Sequence, residues 1–465
     1  MTARVLEERG AAPRGAWLAL FAIVLAGCGT ISNARDAQDD EKALPGERTP
    51  TAAEIGLPTT GSLGLKQAVG AALAANPAIL QARHGAEAAE AQVGVVEGAY
   101  YPQLSTGSTD SIRYETTNTV AKNPQNNIAH TFYSFGFSVS WLIYDFGHTP
   151  ALVHQAANQW LASQKQLKLA EVTTAFSVRS AYFNLVKQFE LLRVAEDTVR
   201  DDEAHLEQTH GFVAAGTKVP YDESNAQVVL GNAQLTLIKT RDALEIAQAQ
   251  LANAIGIAEV TSWAPGDVVP LPPFTLTFEE AWEEARKTHP SIQAALAEEQ
   301  AAKDLVDAQI AALFPALGAS AGYGANGLTF PLTWNWQFGP NVSWIAFNGF
   351  TNYYTIDQAA ANLRVARATK ANAEQTVWLN LRTAWVSLRD AEERIDVTGR
   401  TMAFAAETLR FANERFAVGK ATSVDVADAQ AGLSQARSDN VSARADYDTA
   451  VANCWQALGV VEWMR

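Results

Sequence analysis

A chain of 465 residues, 48% of them hydrophobic, is long enough to hold two or three domains and to bury a sizeable core. Its formal net charge of −15 argues against nucleic acid as a partner, because phosphate binding requires clustered Lys and Arg. The acidity fits either simple solubility or an acidic lumen that favours cations. No apolar stretch reaches the roughly 18 residues that a transmembrane helix requires.

The N-terminus carries the pattern of an export signal. An apolar run over residues 16–26 is too short to span a bilayer and is placed like the core of a signal peptide. It leads into the tetrad LAGC at residues 25–28, which resembles the lipobox of bacterial lipoproteins. That resemblance implies removal of residues 1–27 and attachment of lipid, palmitate included, to Cys28; the alternative is an ordinary buried cysteine. The other cysteine, Cys454, falls in a helical stretch, so no disulfide framework is expected.

The polar segment after the signal, residues 28–62, is rich in Pro, Gly, Thr and Asp and is predicted to be an acylated tether. The rest of the chain is an internal duplication. The stretch RFAVGKATSVDVADAQ at 415–430 has a diverged copy, FVAAGTKVPYDESNAQ, at 212–227. So long a repeat indicates a duplicated domain rather than a solenoid. The predicted divisions are a first structural repeat at 63–256, an equatorial linker at 257–276, a second structural repeat at 277–460 and a tail at 461–465.

Each repeat has one order of predicted elements: helix, β-hairpin, very long helix, tight turn and shorter helix. The long helices, Thr149 to about Ala214 and Thr351 to about Ala417, lack proline beyond the first turn and should each reach roughly 100 Å. The returning helices, near 221–255 and 423–458, should each reach roughly 50 Å. Each therefore covers half of a long helix, and the helix before each hairpin covers the rest.

The hairpin segments alternate with the period of two that is typical of β-strands. Residues 333–344 place Trp, Phe, Pro and Val at even positions and polar residues or glycine at odd ones, and residues 133–141 alternate similarly. A soluble sandwich would also alternate, but these segments approach the roughly 9–11 residues of a tilted membrane strand. Aromatic residues at the strand ends favour the membrane reading. The predicted interfacial girdle is Tyr101, Trp141, Tyr144, Phe314, Trp344 and Phe347.

Four strands in one chain cannot close into a barrel, and an open sheet edge in lipid leaves backbone groups without hydrogen bonds. The chain is therefore expected to oligomerise. Dimers, trimers or tetramers would supply about 8, 12 or 16 strands, and a barrel of about eight is filled by its own side chains. An open duct therefore requires at least three copies.

Over residues 63–460 the chain resembles the TolC family of outer-membrane efflux proteins, in its lipoprotein branch. The resemblance is carried by the duplicated element order, the Asn76-Pro77 and Tyr101-Pro102 landmarks, and the paired Gly-x5-Asp turns. It implies an α+β membrane protein that forms a homotrimer. Long α-helical hairpins would build a periplasmic α-barrel, and four β-strands per chain would contribute to a 12-stranded outer-membrane β-barrel. The implied location is the bacterial outer membrane, lipid-anchored, with a periplasmic extension.

By this resemblance the duplicated stretches are two turns at the periplasmic end of the tunnel, where the family docks the hairpin tips of an adaptor. Glycine in such a turn admits a positive φ and lets another backbone approach closely. The alternative is that both glycines serve only as helix C-caps. The implied docking residues are Ala215, Gly216, Thr217, Val418, Gly419 and Lys420.

The resemblance also implies a ring of carboxylates at a periplasmic constriction. Asp425 and Asp428 lie three residues apart on one helix face and match the family's entrance aspartates; Asp222 matches the first of them in the other repeat. Their proximity is expected to favour cations and to raise their pKa values by like-charge repulsion. For Asp222 the alternative is an exposed helix start, where a carboxylate suits the macrodipole.

The residues that close the entrance in other family members differ here. Phe416 and Ala421 occupy the places of a latch tyrosine and arginine, and neither can make the polar contacts of that latch. Lys218 and Tyr221 at the first turn are the candidates to replace them as gate contacts. The nearby histidines, 205 and 210, are interpreted as solvated surface, because their five-residue spacing is poor for a shared metal.

No P-loop, nucleophile elbow, H-E-x-x-H or C-x-x-C motif is present, so no enzyme activity, metal site or cofactor beyond lipid on Cys28 is expected. The implied function is a passive exit duct of a tripartite efflux system. Its implied partners are a periplasmic membrane-fusion adaptor, an inner-membrane pump of RND or ABC type, and outer-membrane lipid. The alternatives are the exit duct of a type I protein secretion system and a non-channel lipoprotein that bridges the periplasm. Acylation favours small-molecule efflux by family analogy.

Overall fold

A computed structural model of the chain describes residues 50–58, 60–116, 127–259, 262–266 and 273–461, without the side chains of 110 and 112–130. The chain divides into two compact units, Met1–Thr51 and Ala52–Arg465, and the architecture below is that of the second. The predicted signal peptide and Cys28 lie outside the described residues. No helix in the described ranges combines the length and apolar character needed to cross a membrane.

The described elements follow the predicted order in both repeats. The first repeat and the connection after it contain β1 (Thr60–Leu63), α1 (Leu65–Ala75), α2 (Pro77–Glu97), β2 (Gln103–Thr116), β3 (Asn127–Tyr144), α3 (His148–Ala214), α4 (Pro220–Ile255) and β4 (Ser262–Pro265). The second contains α5 (Phe278–Thr288), α6 (Pro290–Ala311), β5 (Ala316–Gly327), β6 (Thr333–Ser343), α7 (Thr351–Ala417) and α8 (Ser423–Leu458). The two long helices have 67 residues each, as the proline-free stretches predict.

Each long helix is covered by two shorter helices along its length. In its upper part α3 packs on α6, where Asn158 donates a hydrogen bond of 2.7 Å to Asp304. In its lower part it packs on α4, where Asn184 donates one of 3.1 Å to Gln250. The long helix α7 likewise contacts α6 above and α8 below. The end-to-end arrangement expected from helix lengths is confirmed.

The main hydrophobic core lies at mid-height, where the two repeats meet. Val178, Tyr182 and Leu185 on α3 are fully buried, as their coiled-coil spacing predicts, and Leu381 on α7 is buried in the same core. Strands β1 and β4 pair in parallel beside this core. The ring of Trp263 on β4 is completely buried, and its Nε1 donates a 2.7 Å hydrogen bond to the Pro58 carbonyl.

The Asn76-Pro77 landmark and its counterpart in the second repeat, His289-Pro290, contact the end of each returning helix. Gly256 ends α4 with a φ of 101° and Gly459 ends α8 with a φ of 82°, both in the left-handed region. A Cβ at these positions would lie 2.6 Å from Pro77 Cδ and 2.7 Å from Pro290 Cδ. Only glycine fits this close approach without displacement. Duplication of the contact explains why the landmark recurs in both halves.

The hairpins form one antiparallel sheet with the order β2-β3-β5-β6. Its strands have 14, 18, 12 and 11 residues, so three of them exceed the predicted membrane-crossing length and the fourth reaches it. Directly paired residues share a face of a sheet, and Phe137 pairs with Tyr323, which pairs with Trp336. One face is therefore aromatic. The opposite face carries small and polar residues such as Ser138, Gly322 and Gln337.

Two predicted connecting segments contain more structure than the sequence suggested. Ala52 and Leu57, which the sequence assigns to the tether, are buried in the main core. The predicted equatorial linker contains β4, whose pairing with β1 joins the segment that leads into the first repeat to the connection between the repeats. Their short strands and scattered apolar residues give no periodic signal in the sequence.

Candidate functional site

The two turns at the lower ends of the long helices have nearly the same geometry. Gly216 has a φ of 71° and Gly419 a φ of 72°, and a Cβ on either would meet no atom within 4 Å. Thr217 N donates to Phe212 O at 3.0 Å, and Lys420 N donates to Arg415 O at 2.8 Å, so both glycines close a helix C-cap. All six predicted docking residues are exposed. The turns are thus capped by their own backbone while their tips stay accessible.

The carboxylates beyond the second turn take two different roles. Asp425 caps its own helix: Thr422 donates from its backbone N at 2.7 Å and from its hydroxyl at 2.8 Å to Asp425 Oδ2. Asp428 lies one turn later and is also exposed. In the first repeat Asp222 is half-buried within the first turn of α4. Asp425 and Asp428 therefore share an exposed helix face, as their spacing predicts.

The expected rise of the Asp425 pKa is wrong for this chain. The hydrogen bonds from Thr422 hold the pKa of Asp425 below its ordinary value, with a smaller contribution from Arg415. A carboxylate that accepts a backbone N–H at a helix N-terminus is stabilised in its charged form. Asp425 is therefore a permanent negative charge at the tip near neutral pH.

Phe416 is the centre of a small apolar cluster between the two turns. Only 1% of its surface is exposed, and Ala421 and Val426 are buried with it. The Phe212 ring from the first long helix contacts it with centroids 5.7 Å apart. The position that the resemblance assigned to a latch tyrosine here supplies a packing contact between the hairpins.

Lys218 joins the first turn to the second. Its Nζ donates a 3.1 Å hydrogen bond to the Ala421 carbonyl and lies 4.4 Å from the centroid of the Phe416 ring. The structure thus brings together Lys218, Phe416 and Ala421. Tyr221, the other candidate gate residue, leaves 66% of its surface exposed.

The interpretation of His205 as solvated surface is wrong. The side chain is buried, and its Nε2 lies 3.2 Å from the Ser423 hydroxyl at the start of α8. Burial lowers the pKa of His205, and the Asp222 charge partly opposes this. His210 agrees with the expectation, since it is exposed and pairs with Glu223 at 2.9 Å. Only tertiary structure distinguishes them, because the second hairpin covers one face of α3 and leaves the other in solvent.

The predicted girdle lies at the end of the sheet that adjoins the helices, and all six aromatic residues are exposed. Two of them are oriented by matching hydrogen bonds. Trp141 Nε1 donates to the Tyr100 carbonyl at 2.9 Å, and Trp344 Nε1 donates to the Leu313 carbonyl at 3.1 Å. Indole groups with an apolar body and a satisfied N–H suit an interface between lipid and water.

Among the described residues no group of three or more His, Cys, Asp or Glu could hold a metal ion. The described Cys454 is free and buried. The arrangement that remains is a membrane-facing sheet, a long helical body and an acidic, exposed tip. Fold and site together define a channel-forming membrane protein with a helical extension.

The chain belongs to the family of outer membrane efflux proteins, whose family model matches residues 68–257 and 281–460, one segment in each repeat. It is 25% identical to Protein CyaE of Bordetella pertussis, over 99% of this chain and 97% of that protein. It is 21% identical to the toluene efflux pump outer membrane protein TtgC of Pseudomonas putida, over 95% of this chain and 94% of that protein. The Campylobacter jejuni CmeC outer membrane channel has the same fold, with a TM-score of 0.75, 18% identity and 85% of each chain covered.

These findings confirm the family, the fold class and the outer-membrane location with a periplasmic extension. The protein is an efflux channel component and not an enzyme. The family works with a periplasmic adaptor and an inner-membrane pump.

Replacement of Lys218 by Met should loosen the contact between the two turns. The variant keeps the apolar stem but loses the hydrogen bond to Ala421 and the cation–π contact, together worth about 1 kcal/mol. Amide hydrogen exchange over residues 416–423 should therefore become about fivefold faster. Lys420→Met is the matched control, because that exposed lysine belongs to the other turn. Equal exchange rates in both variants would contradict the assigned contact.

Proposed function

We propose that three copies of this chain form a duct through which small molecules, delivered by an inner-membrane pump and its adaptor, leave the cell passively. The observation that carries the proposal is that a single chain leaves unpaired strand edges and exposed apolar helix surfaces on both of its sides. The sheet has two edge strands, β2 and β6, and the helical body ends in two exposed apolar stripes. Both features require neighbouring copies.

The sheet supports closure between copies. An edge strand in lipid leaves its outer backbone N–H and C=O groups without partners, at a cost of several kcal/mol for each group. Pairing β6 of one copy with β2 of the next would satisfy both edges. Three copies of four strands give about 12, enough for an open lumen lined by the polar face. The aromatic face would then contact lipid.

The helices support the same closure at the lower end. The four lower helices contact in the order α4, α3, α8, α7, which leaves α4 and α7 on opposite sides of one chain. On α4, Tyr221, Val228 and Leu235 are spaced seven residues apart. On α7 and its C-cap, the same spacing relates Val397, Phe404, Phe411 and Val418. All seven side chains leave between 47% and 67% of their surfaces exposed.

The two stripes match each other in height. The chain rises along α4 from the tip and descends along α7 to the tip, so Val228 lies eight residues from the start of α4 at Pro220 and Phe411 lies six residues from the end of α7 at Ala417. Leu235 and Phe404 match one heptad higher. Stripes that repeat every seven residues form a knobs-into-holes seam. A head-to-tail contact of α4 on α7 of the next copy, repeated around a three-fold axis, closes a ring.

The exposed turns would receive the adaptor at the open lower end of this ring. Their six accessible residues are small or flexible, and the two glycines allow a partner backbone to approach closely. Asp425 and Asp428 from three copies would place six carboxylates at the constriction, and Asp222 a further three nearby. Such a ring favours cations. Lys218 and Phe416 would hold the two hairpins of each copy together at the entrance, in place of a polar latch.

Small-molecule efflux is proposed over protein secretion because TtgC, which matches almost the whole chain, is named for a toluene efflux pump. Either an RND or an ABC pump would suit a passive duct, since the chain itself carries no energy-coupling motif. A non-channel bridging lipoprotein would have no use for an aromatic-faced, membrane-length sheet.

Lipid on Cys28 is proposed as an additional anchor, supported by the tetrad at 25–28 and the polar segment after it. Cells fed labelled palmitate should incorporate it into the wild-type chain and into Cys454→Ala, but not into Cys28→Ala. The last variant should also keep its signal peptide, because lipoprotein processing requires the modified cysteine. Labelling of Cys28→Ala equal to that of the wild type would refute acylation at this site.

Single-channel recording tests the duct and its constriction. The purified trimer in a planar bilayer should give small, cation-selective openings, because fixed carboxylates concentrate cations at the entrance. Asp425→Asn combined with Asp428→Asn should lower cation selectivity or enlarge the openings. Glu90→Gln, an exposed acid on α2, serves as the control and should behave like the wild type. A folded trimer that never conducts, in any of these forms, would favour the bridging lipoprotein.

Cysteine cross-linking tests the interface between copies. Val228→Cys combined with Phe411→Cys should yield covalent dimers and trimers on oxidation, because the two positions match in height on α4 and α7. Val228→Cys with Val397→Cys is the control, since Val397 lies two heptads, or roughly 20 Å, away from the matching level. Cross-linking confined to monomers, or equal in both pairs, would show that these stripes do not meet between copies.

A further inference from the structure

Two buried acceptor oxygens, one from each hairpin of the chain, have no hydrogen-bond partner among the described residues. Asp202 on α3 is only 4% exposed, and its Oδ1 has no hydrogen-bond partner among the described residues. The Gln430 Oε1 on α8 is buried and is likewise without a partner in the described part of the chain. Both residues line one cavity of about 10 Å³. Two residues that line the same small space across the α3–α8 seam thus each hold a buried acceptor oxygen without a partner among the described residues.

The cavity has room for at most about one water molecule. Its volume is at the lower limit for a single water molecule and far below that of a hydrated cation. Its walls include Thr198, Ser434 and Leu409. The Thr198 and Ser434 hydroxyls bond to each other at 2.9 Å, and Thr198 also donates to Val194 O. Buried acceptors without a donor are costly, so the site calls for one more hydrogen.

The charged groups around the cavity are few. On α3 itself, Asp201 is adjacent and His205 lies one turn below. From α8, Arg437 lies 3.9 Å from Asp201 Oδ2, and from α7 the cavity receives only the apolar Leu409. Burial raises the pKa of Asp202 to about 6, and the neighbouring Asp201 charge adds to the rise.

We propose that Asp202 and Gln430 form a proton-binding site, in which the proton held by Asp202 joins α3 to α8 and tightens the seam between the two hairpins near the tip. The seam is then strongest in acid and looser near neutral pH. The contacts of Thr198 with Ser434 and of Lys218 with Ala421 do not depend on this proton, so its loss loosens the seam without separating the helices. If the chain forms the proposed duct, this loosening favours opening of the entrance. Only this last consequence depends on the proposed function.

The direction follows from linkage. A carboxyl group exposed by opening of the seam titrates near its ordinary pKa of 3.8, whereas in the closed seam it titrates near 6. Between pH 3.8 and about 6 the closed seam therefore binds more protons than the open one. The free energy by which this proton favours the closed seam is fully present below pH 3.8 and is lost as the pH rises through about 6. His205 has the opposite sign, because burial lowers its pKa and its protonation would weaken the contact with Ser423.

A distance measurement tests the site without relying on conduction. Nitroxide labels on Thr217→Cys and Lys420→Cys, in a Cys454→Ala background, report the separation of the two turns. Labelled chains are diluted into trimers with excess unlabelled protein, so that most trimers carry one labelled copy. Between pH 4.5 and 7.5 the ratio of wide to narrow separations should rise by more than about tenfold, as a pKa difference of about two units requires.

Three variants separate the site from general effects of pH. Asp202→Asn supplies a permanent N–H donor in the same shape, so it should remain narrow at both pH values. Gln430→Glu places a second carboxyl group beside Asp202, so that the two share one proton. Repulsion between their charges raises the pKa of the pair, and the transition should move to higher pH. Asp197→Asn, an exposed acid one turn above on α3 that pairs with Arg200, should behave like the wild type.

The proposal is overturned if the wild-type distances are the same at both pH values, or if Asp202→Asn responds as the wild type does. A response of opposite sign would assign the effect to His205 instead. If the label separation in the wild type changes with pH but the single-channel current does not, the proton site stands and its role in the proposed duct is refuted.

Discussion

Unpaired backbone groups at the edges of a four-stranded sheet are the constraint on which the rest of this structure depends. In lipid each of these groups must find a hydrogen-bond partner, and one chain cannot provide them. The edge strands can therefore find partners only in other copies of the chain. The helices that continue from these strands are then placed beside helices of the neighbouring copies. The proposed contact between copies would account for the heptad stripes of Tyr, Val, Leu and Phe that are exposed on α4 and α7, on opposite sides of one chain. Such exposure would be a liability in a monomer.

Duplication provides the scaffold, and divergence between the halves provides the individual contacts. The glycine ends of α4 and α8 dock on Pro77 and Pro290 in the same way, and the two turns share one backbone geometry. Their side chains differ. The first half contributes Lys218 and His205, and the second receives them with Ala421 and Ser423. A symmetric backbone thus carries an asymmetric contact at the tip, where the two hairpins of one chain are held together.

The sequence predicted the long elements well, because they obey strong local rules. Helices of 67 residues follow from proline-free stretches, and the aromatic strand β6 from strict alternation. Side-chain environments at the tip were harder to predict. His205 was expected in solvent and is buried, and Asp425 was expected to resist ionisation and instead caps a helix. The sequence did not predict the burial of Asp202, because it lies in an acidic stretch of α3 whose neighbouring residues do not indicate which face packs against α8.

The sequence by itself determined the duplication, the element order, the family and the positions of the two turns, because periodicity and glycine placement act over a few residues at a time. Tertiary structure alone decided which polar groups are buried between the hairpins. Asp202, Gln430, His205 and Ser423 come from segments more than 200 residues apart, and their burial depends on the packing of α3 against α8. A helix of 67 residues presents several faces, and only the neighbour that covers a face determines whether a carboxylate on it stays charged.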